Sequence, residues 1–401
     1  MRALYEALPY PSRDPADERQ RLITGSPSHL DEVNHYVFAG RLDFGRPFRA
    51  LVAGGGTGDA AIMLAQQLAD RAPQGEVVYL DMSRASRAVA EARATERALR
   101  NIRFVEGSLL DVAQIAPGPY DYIDCCGVLH HLPDPAQGLA ALAAVLKPGG
   151  GMGLMLYATL GRTGVYPVQE ALRQLVPEGD LAARVAATRR LVDALPETNW
   201  LKRNPHLSSV TGDDTALADL LLHPIDRAYR VREVAALVEG AGLTLIHFLP
   251  PLRYDPFTYL ADPAWRARAA ALPWIEACAL AEALAGNLKT HVFYVVKDKA
   301  REAALAMPRA RSIPVLIRQD AATLARAFAR TPRLGVNLDG IVLDLPVGER
   351  AAILLGAMDG QRNLNALCHE TGLAPPVFDA AFATLYQVLN GLNLMLLREA
   401  A

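Results

Sequence analysis

Four cysteines among 401 residues, none of them in a C-x-x-C pair, leave this chain without a disulfide framework or a zinc site. A cysteine usage this sparse suits a reducing compartment. The opening Met1-Arg2-Ala3-Leu4-Tyr5-Glu6 lacks the apolar core of a signal peptide, so a cytoplasmic protein is expected. No apolar run approaches the ~18 residues that cross a bilayer, and no membrane association is expected. Charge of one sign is missing too: 41 Lys and Arg stand against 43 Asp and Glu, for a net charge of −2. A balanced chain has no global basic field with which to recruit nucleic acid. What is plentiful is apolar: 51% of the residues are hydrophobic, ample for a sizeable core, and the length accommodates two domains.

The most informative segment is Ala50-Leu51-Val52-Ala53-Gly54-Gly55-Gly56-Thr57-Gly58-Asp59-Ala60-Ala61. An apolar run ends in a G-x-G-x-G turn, and Ala60, Ala61, Met63, Leu64 and Leu68 continue at helical spacing. This reads as strand, glycine turn, helix. Glycines let the backbone turn sharply and approach a ligand, and the helix start offers unpaired N–H groups to it. A second apolar run, Glu76 to Leu80, ends in Asp81, about 20 residues past the turn, where an acid can accept both hydroxyls of a ribose. Gly56, Gly58 and Ala61 also satisfy the dinucleotide spacing, so these two segments leave a NAD-dependent oxidoreductase open.

The segments that follow form an ordered series. Asn101 to Ser108 reads as a third strand and its exit, Tyr120 to Leu132 as a fourth strand and loop containing Val128-Leu129-His130-His131, and a helix from about Pro135 ends in Leu146-Lys147-Pro148-Gly149-Gly150 before a fifth strand, Met152 to Tyr157. Together with Gly54, Gly56, Gly58 and Asp81, this series resembles the class I S-adenosylmethionine (SAM)-dependent methyltransferases over roughly residues 45 to 298. The last two motifs most resemble the branch of quinone-biosynthesis and other small-molecule enzymes. NAD-dependent oxidoreductases do not share the series from His130-His131 to Gly149-Gly150.

The resemblance implies an α/β fold: a Rossmann-like seven-stranded methyltransferase sheet over residues 46–300, with SAM as cofactor. It implies cofactor contacts at Gly54, Gly56, Gly58, Asp81, Met82, Ser108, Leu109 and Cys126. Two positions depart from the family pattern. The acid that usually stands two residues ahead of the first glycine, where it helps hold the methionine amino group, is Val52. The acid that usually follows Gly107 and binds the adenine amino group is Ser108, with Asp111 a nearby substitute.

Outside this core, residues 1–45 are expected to form an N-terminal helical lid, with a helix capped near Ser28 that brings His35 and Tyr36 toward a substrate. Residues 158–226 form a helical insertion, broken at Gly161, Gly164, Pro167, Pro177, Pro196 and Pro205. It follows the fifth strand directly, at the carboxyl ends of the strands where open α/β sheets bind ligands. Arg162, Tyr166, Gln169 and Glu170 are its substrate candidates. Val231 to Ala241 reads as a helix, Leu243 to Leu249 and His291 to Val296 as strands that the resemblance makes an antiparallel pair at the sheet edge.

Residues 310–401 read as a separate α+β unit: a helix from about Ala321, a strand-like segment Leu338 to Leu345, helices over Glu349–Met358, Asn363–Glu370 and Pro375–Asn390, and a strand Leu392–Leu397. Helix, turn, helix, helix, strand resembles a winged helix, and Met358-Asp359-Gly360-Gln361-Arg362-Asn363 resembles small peptide-chaperone domains. The supposed recognition helix has no Lys or Arg for phosphates, so the unit is read as a protein-contact domain that supports a homodimer.

Methyl transfer is an in-line displacement that chiefly requires alignment and exclusion of water. An oxygen or carbon acceptor can also require a base, and His130 and His131, after the fourth strand, are the candidates. Cys125 and Cys126 lack the preceding proline of cytosine C5-methyltransferases, and the N/D-P-P-Y/F/W motif is absent, which argues against nucleic-acid bases as acceptors. No metal site is expected. The leading expectation is methyl transfer from SAM to a small molecule. The alternatives are a peptide or protein acceptor recruited by residues 310–401, and a SAM-binding module without catalysis.

Overall fold

The computed structural model describes residues 2–176, 179–205, 207 and 214–399. Its centre is a seven-stranded sheet built from β1 (Phe48–Ala53), β2 (Gly75–Asp81), β3 (Ile102–Glu106), β4 (Tyr120–Cys126), β5 (Leu146–Tyr157), β6 (Leu243–Leu249) and β7 (Thr290–Lys297). The strand order is β3-β2-β1-β4-β5-β7-β6. The first five strands are parallel, and β7 runs antiparallel to both β5 and β6, as expected for the edge pair. β5 starts earlier than the sequence suggests, at Leu146, and its register with β4 shifts across Lys147-Pro148-Gly149-Gly150, where Gly149 takes a φ of +73°.

Helices cover both faces of this sheet, so its inner strands are buried almost throughout. Alternation along β1 divides the core in two. Leu51 packs with Ile123, Cys125 and the helices Pro135–Val145, Val231–Gly240 and Trp274–Ala285. Ala50 and Val52 pack with Tyr122 and the helices Leu30–Val37 and Asp59–Arg71. Between β6 and β7 stand the helices Pro263–Ala270 and Trp274–Ala285. Pro273, which cannot donate a backbone hydrogen bond, separates them.

Residues 158–226 carry the helices Val165–Leu175, Leu181–Ala194 and Asp214–Leu221 around an apolar cluster of their own, against which Leu4 and Leu8 of the N-terminal segment pack. Pro177 and part of Pro205's neighbourhood lie outside the described residues. Among the described residues no helix is long and apolar enough to cross a membrane.

The last hundred residues form their own apolar core, with β8 (Ser312–Leu316), the helix Ala321–Arg330, a hairpin of β9 (Arg333–Leu338) and β10 (Ile341–Pro346), the helices Ala351–Ala357, Leu364–Thr371 and Pro375–Gly391, and β11 (Met395–Glu399). The single strand expected over Leu338–Leu345 is instead the turn and second half of the hairpin. Asp339 and Gly340 both take positive φ (52° and 91°), the conformation that a two-residue Asp-Gly hairpin turn requires. The last three helices lead into β11, which pairs antiparallel with β8 from ahead of them.

Hydrogen bonds join this unit to the core. The Tyr36 hydroxyl donates to Asn393 (3.0 Å), and the Leu397 N–H donates to His35 Nδ1 (3.0 Å). Glu32, fully buried, accepts from Asn393 (2.9 Å), Ser26 (2.7 Å) and Tyr294 (3.1 Å) and meets Arg318 (3.3 Å).

Candidate active site

A cavity of about 390 Å³ opens over the carboxyl ends of β1, β2 and β4, where the strand order reverses between β1 and β4. One end is shaped by the glycine turn. Gly54 and Gly56 line it with φ of +75° and +50°. A Cβ on Gly56 would stand 2.6 Å from the Tyr10 carbonyl oxygen, so the chain passes where a side chain would not fit. Asp81 closes this end. Its carboxylate accepts the backbone N–H of Gly56 and of Ser83 (2.8 Å each). Each carboxylate oxygen retains further acceptor capacity toward the cavity. Burial pushes the Asp81 pKa upward against these donors. Met82, Ser108, Leu109 and Cys126 line the same end.

The N-terminal segment covers the turn. The Tyr10 carbonyl accepts from the Thr57 N–H (3.2 Å), and the Pro11 carbonyl from the Thr57 hydroxyl (2.6 Å). Arg13 pairs with Asp59 (2.6 Å). Glu18, nearly inaccessible, grips the buried Arg93 (2.6 Å) and also pairs with Arg97. Tyr5, Tyr10 and Pro11 thereby line the cavity.

The other end is lined by Tyr5, His131, Leu132, Met155, Tyr157, Asp219 and Thr290. The Asp219 carboxylate accepts the Tyr5 hydroxyl on one oxygen and the Tyr157 hydroxyl on the other (2.9 Å each). Burial raises both phenol pKa values, so both remain donors. His131 Nδ1 lies 2.9 Å from the Ile225 carbonyl. A carbonyl only accepts, which places the proton on Nδ1 and the lone pair on Nε2. Burial lowers the His131 pKa and keeps the ring neutral. Its ring lies against His223, with centroids 3.7 Å apart.

Several comparisons with known proteins converge on this geometry. A family profile described as a methyltransferase domain matches residues 51–152, the segment from β1 into β5. An uncharacterized protein of Synechococcus sp. is 37% identical over 265 residues, covering 63% of this chain and 60% of its own. The ubiquinone biosynthesis O-methyltransferase of Albidiferax ferrireducens is 32% identical over 141 residues, covering 34% of this chain and 49% of its own. The chain thus spans about half to three-fifths of the length of these relatives. Among solved structures, PKMT2 from Rickettsia typhi in complex with AdoHcy superposes with a TM-score of 0.62 at 14% identity, over 95% of this chain and 77% of that one. This last likeness concerns the fold, and it includes the C-terminal unit.

Residues 51–152 carry a methyltransferase domain.

Within the methyltransferase domain, the residues singled out from the sequence fall into three groups. Gly54, Gly56, Asp81, Met82, Ser108, Leu109, Cys126 and His131 line the cavity. Gly58 sits behind it: its φ of +103° starts the helix Asp59–Arg71, and an added Cβ would meet Ala90 at 2.9 Å. His130 is also behind the wall, stacked on Tyr157 at 3.8 Å. Both of its ring nitrogens are buried, with no hydrogen-bond partner among the described residues.

The third group lies elsewhere. His35 and Tyr36, expected to face a substrate, are buried between the sheet and the C-terminal unit, where Tyr36 stacks on Tyr294. The helix Leu30–Val37 is capped by His29 rather than Ser28, whose hydroxyl donates to Asp124 instead. Arg162 is buried in an ion pair with Asp226 (2.5 Å), its guanidinium 3.7 Å from the Tyr157 ring centroid on the far side of the wall. Gln169 donates to the Leu220 carbonyl and to Asp226 (2.8 and 2.9 Å). Tyr166 sits 3.3 Å from Arg162, and Glu170 is exposed. Arg162, Tyr166 and Gln169 are thus engaged with Asp226 or with one another inside the insertion. Asp111, in a short turn after Ser108, is exposed.

Sequence reasoning missed Tyr5, Tyr157, Asp219 and Asp124. Tyr157 closes β5 and was legible as the last residue of that strand. Asp219 interrupts an apolar helix, Ala216-Leu217-Ala218-Asp219-Leu220-Leu221, a polar intrusion that was available as a signal. Nothing local marks Tyr5.

Proposed function

We propose that this protein transfers a methyl group from SAM to a small-molecule acceptor. The observation that carries the reading is one continuous cavity with two unlike ends: a glycine turn with an acid at the next strand end, and a cluster of His131, Tyr157, Tyr5 and Asp219. The cofactor fits the first end on steric grounds, since backbone without side chains at Gly54 and Gly56 lines it, and on chemical grounds, since Asp81 offers a carboxylate to vicinal hydroxyls. PKMT2, which shares the fold, holds AdoHcy.

When bound, SAM supplies a methyl group already activated by its sulfonium. The protein's part is to hold, orient and exclude water. Asp81 anchors the ribose, while Met82, Ser108 and Leu109 enclose the base. Tyr5, Tyr10 and Pro11 shut the cavity from solvent, and Thr57 and Glu18 fix them in place. At the acceptor end, the neutral His131 presents the Nε2 lone pair and takes the proton of an acceptor hydroxyl. Asp219, held by two phenols, orients the acceptor. The four cysteines, all free, suit the reducing cytoplasm.

Calorimetric titration with SAM and separately with NADH tests the reading. SAM is expected to bind, NADH not to, and Asp81→Ala to weaken SAM by about 10- to 100-fold. NADH binding without SAM binding would overturn it.

A peptide acceptor brought by the C-terminal unit is the second reading. In its favour, the tip of hairpin β9–β10 is anchored through Asp339 to Arg253 (2.6 Å) and through Asn287 (2.8 Å to the Asp339 carbonyl), three residues before Thr290 at the cavity wall. Val342 on that hairpin is 75% exposed. Replacing it with Lys would impair turnover of a peptide and leave that of a small molecule unchanged.

A further inference from the structure

We propose that Asp124 holds the α-ammonium group of the cofactor's methionine moiety, in place of the acid that β1 lacks. This rests on the SAM reading above and adds to it a residue from a different strand.

The position two residues before Gly54 is Val52, and its side chain lines the cavity without a charge to offer. On the adjacent parallel strand β4, the register partner of Val52 is Asp124. Register partners on neighbouring strands project from the same face of a sheet. The Asp124 carboxylate therefore stands one strand spacing, about 4.8 Å, from where the missing acid would be, and it too lines the cavity.

Its surroundings are those of an anion without a cation. Asp124 is 2% exposed. Its side-chain donors, the Ser28 hydroxyl and the Cys126 thiol (3.6 Å), both engage Oδ2. No Lys, Arg or His forms an ion pair with it among the described residues. Of the other carboxylates of the cavity, Asp59 is paired with Arg13 and Arg93, while Asp81, which accepts two backbone N–H groups, and Asp219, which accepts two phenols, stand away from Val52. A buried carboxylate that lacks a cation is costly unless a ligand supplies one. Burial raises the Asp124 pKa to about 6, and a bound ammonium would return it toward the ordinary carboxylate range.

The decisive experiment compares two ligands on the full chain by calorimetry: S-adenosylhomocysteine and its deamino analogue, the adenosyl thioether of butyrate, which differ only in the amino group. Asp124→Asn is expected to weaken S-adenosylhomocysteine by about 30-fold or more and the deamino analogue by no more than about twofold. Adding Val52→Asp to Asp124→Asn should restore most of the lost affinity, because it returns a carboxylate to the same face from the other strand. Equal losses for both ligands would make Asp124 a structural group and overturn the inference, as would an unchanged affinity for S-adenosylhomocysteine. Wild-type protein that binds neither ligand would remove the SAM reading itself, and this inference with it.

Discussion

At the cofactor end of the cavity, Gly54, Gly56 and Asp81 come from two consecutive strand–helix turns, whereas at the other end Tyr5, His131, Tyr157 and Asp219 come from four separate parts of the chain. The first end is built mainly by backbone. Positive φ at two glycines and N–H groups aimed at one carboxylate fix its shape, and few side chains can alter it. The second end is built by side chains alone, delivered by the N-terminal helix, the loop after β4, the end of β5 and the insertion. Changes in those parts can reshape the acceptor pocket without disturbing the turn. A fold of this kind holds one cofactor while its acceptor varies.

This difference is open to breakage at the acceptor end first. His131→Asn is expected to reduce kcat by about 10²- to 10⁴-fold if Nε2 is the base, with SAM affinity retained. Because burial lowers the His131 pKa, the wild-type ring stays neutral through pH 7 and below its ordinary value near 6.5. The acid limb of the kcat/KM profile should therefore fall below that value and be absent in the variant.

Glu18→Gln tests whether the cover over the turn is anchored remotely. It removes one of the two carboxylates that pair with the buried Arg93, Asp59 remaining, and a loss of about 1.5–3 kcal/mol in unfolding free energy is expected from denaturant titration. Asp219→Asn should lower kcat/KM for the acceptor by about tenfold while SAM binding changes by less than about twofold. Equal losses on both ligands would show that the two ends are one mechanical unit.

His35 lies outside both ends and serves as a stability probe. Burial holds its pKa down at about 3, so the folded protein keeps it neutral while the unfolded chain protonates it below about 6.5. Its contribution is complete above that pH and is lost progressively as pH falls toward 3. Asp124, with its pKa raised to about 6, runs the opposite way as it takes up a proton. The difference in Tm between wild type and His35→Gln isolates the histidine, and it should shrink on acidification. The smallest effect is expected of Glu170→Ala: the side chain is exposed, so stability should change by less than about 0.5 kcal/mol and turnover not at all.

Much of the cofactor end is legible in the sequence. G-x-G-x-G after an apolar run and an acid at the end of the next run occur in a fixed order that local chemistry explains. The insertion is legible as helical and as placed at the strand ends, but not in its contacts. Arg162, Gln169 and Tyr166 look like site residues by position, yet Asp226 draws the first two inward. Conversely, His35 and Tyr36 look substrate-facing only because the sequence does not reveal that β11 lies over their helix. The truncation that would remove residues 310–401 would strip Glu32, His35 and Tyr36 of their partners, so it reports on folding before it reports on delivery.

The sequence by itself determined the strand order's raw material, the backbone turn that meets the cofactor and the acid beside it. Each of these depends on residues within a few positions of one another, where φ, hydrogen bonding and period are local matters. Only the tertiary structure decided that Asp124 stands beside Val52, that Tyr5 meets Asp219 and that the C-terminal unit buries the helix Leu30–Val37. Those juxtapositions join residues up to several hundred positions apart. They follow from sheet register and layer packing, which no local pattern encodes.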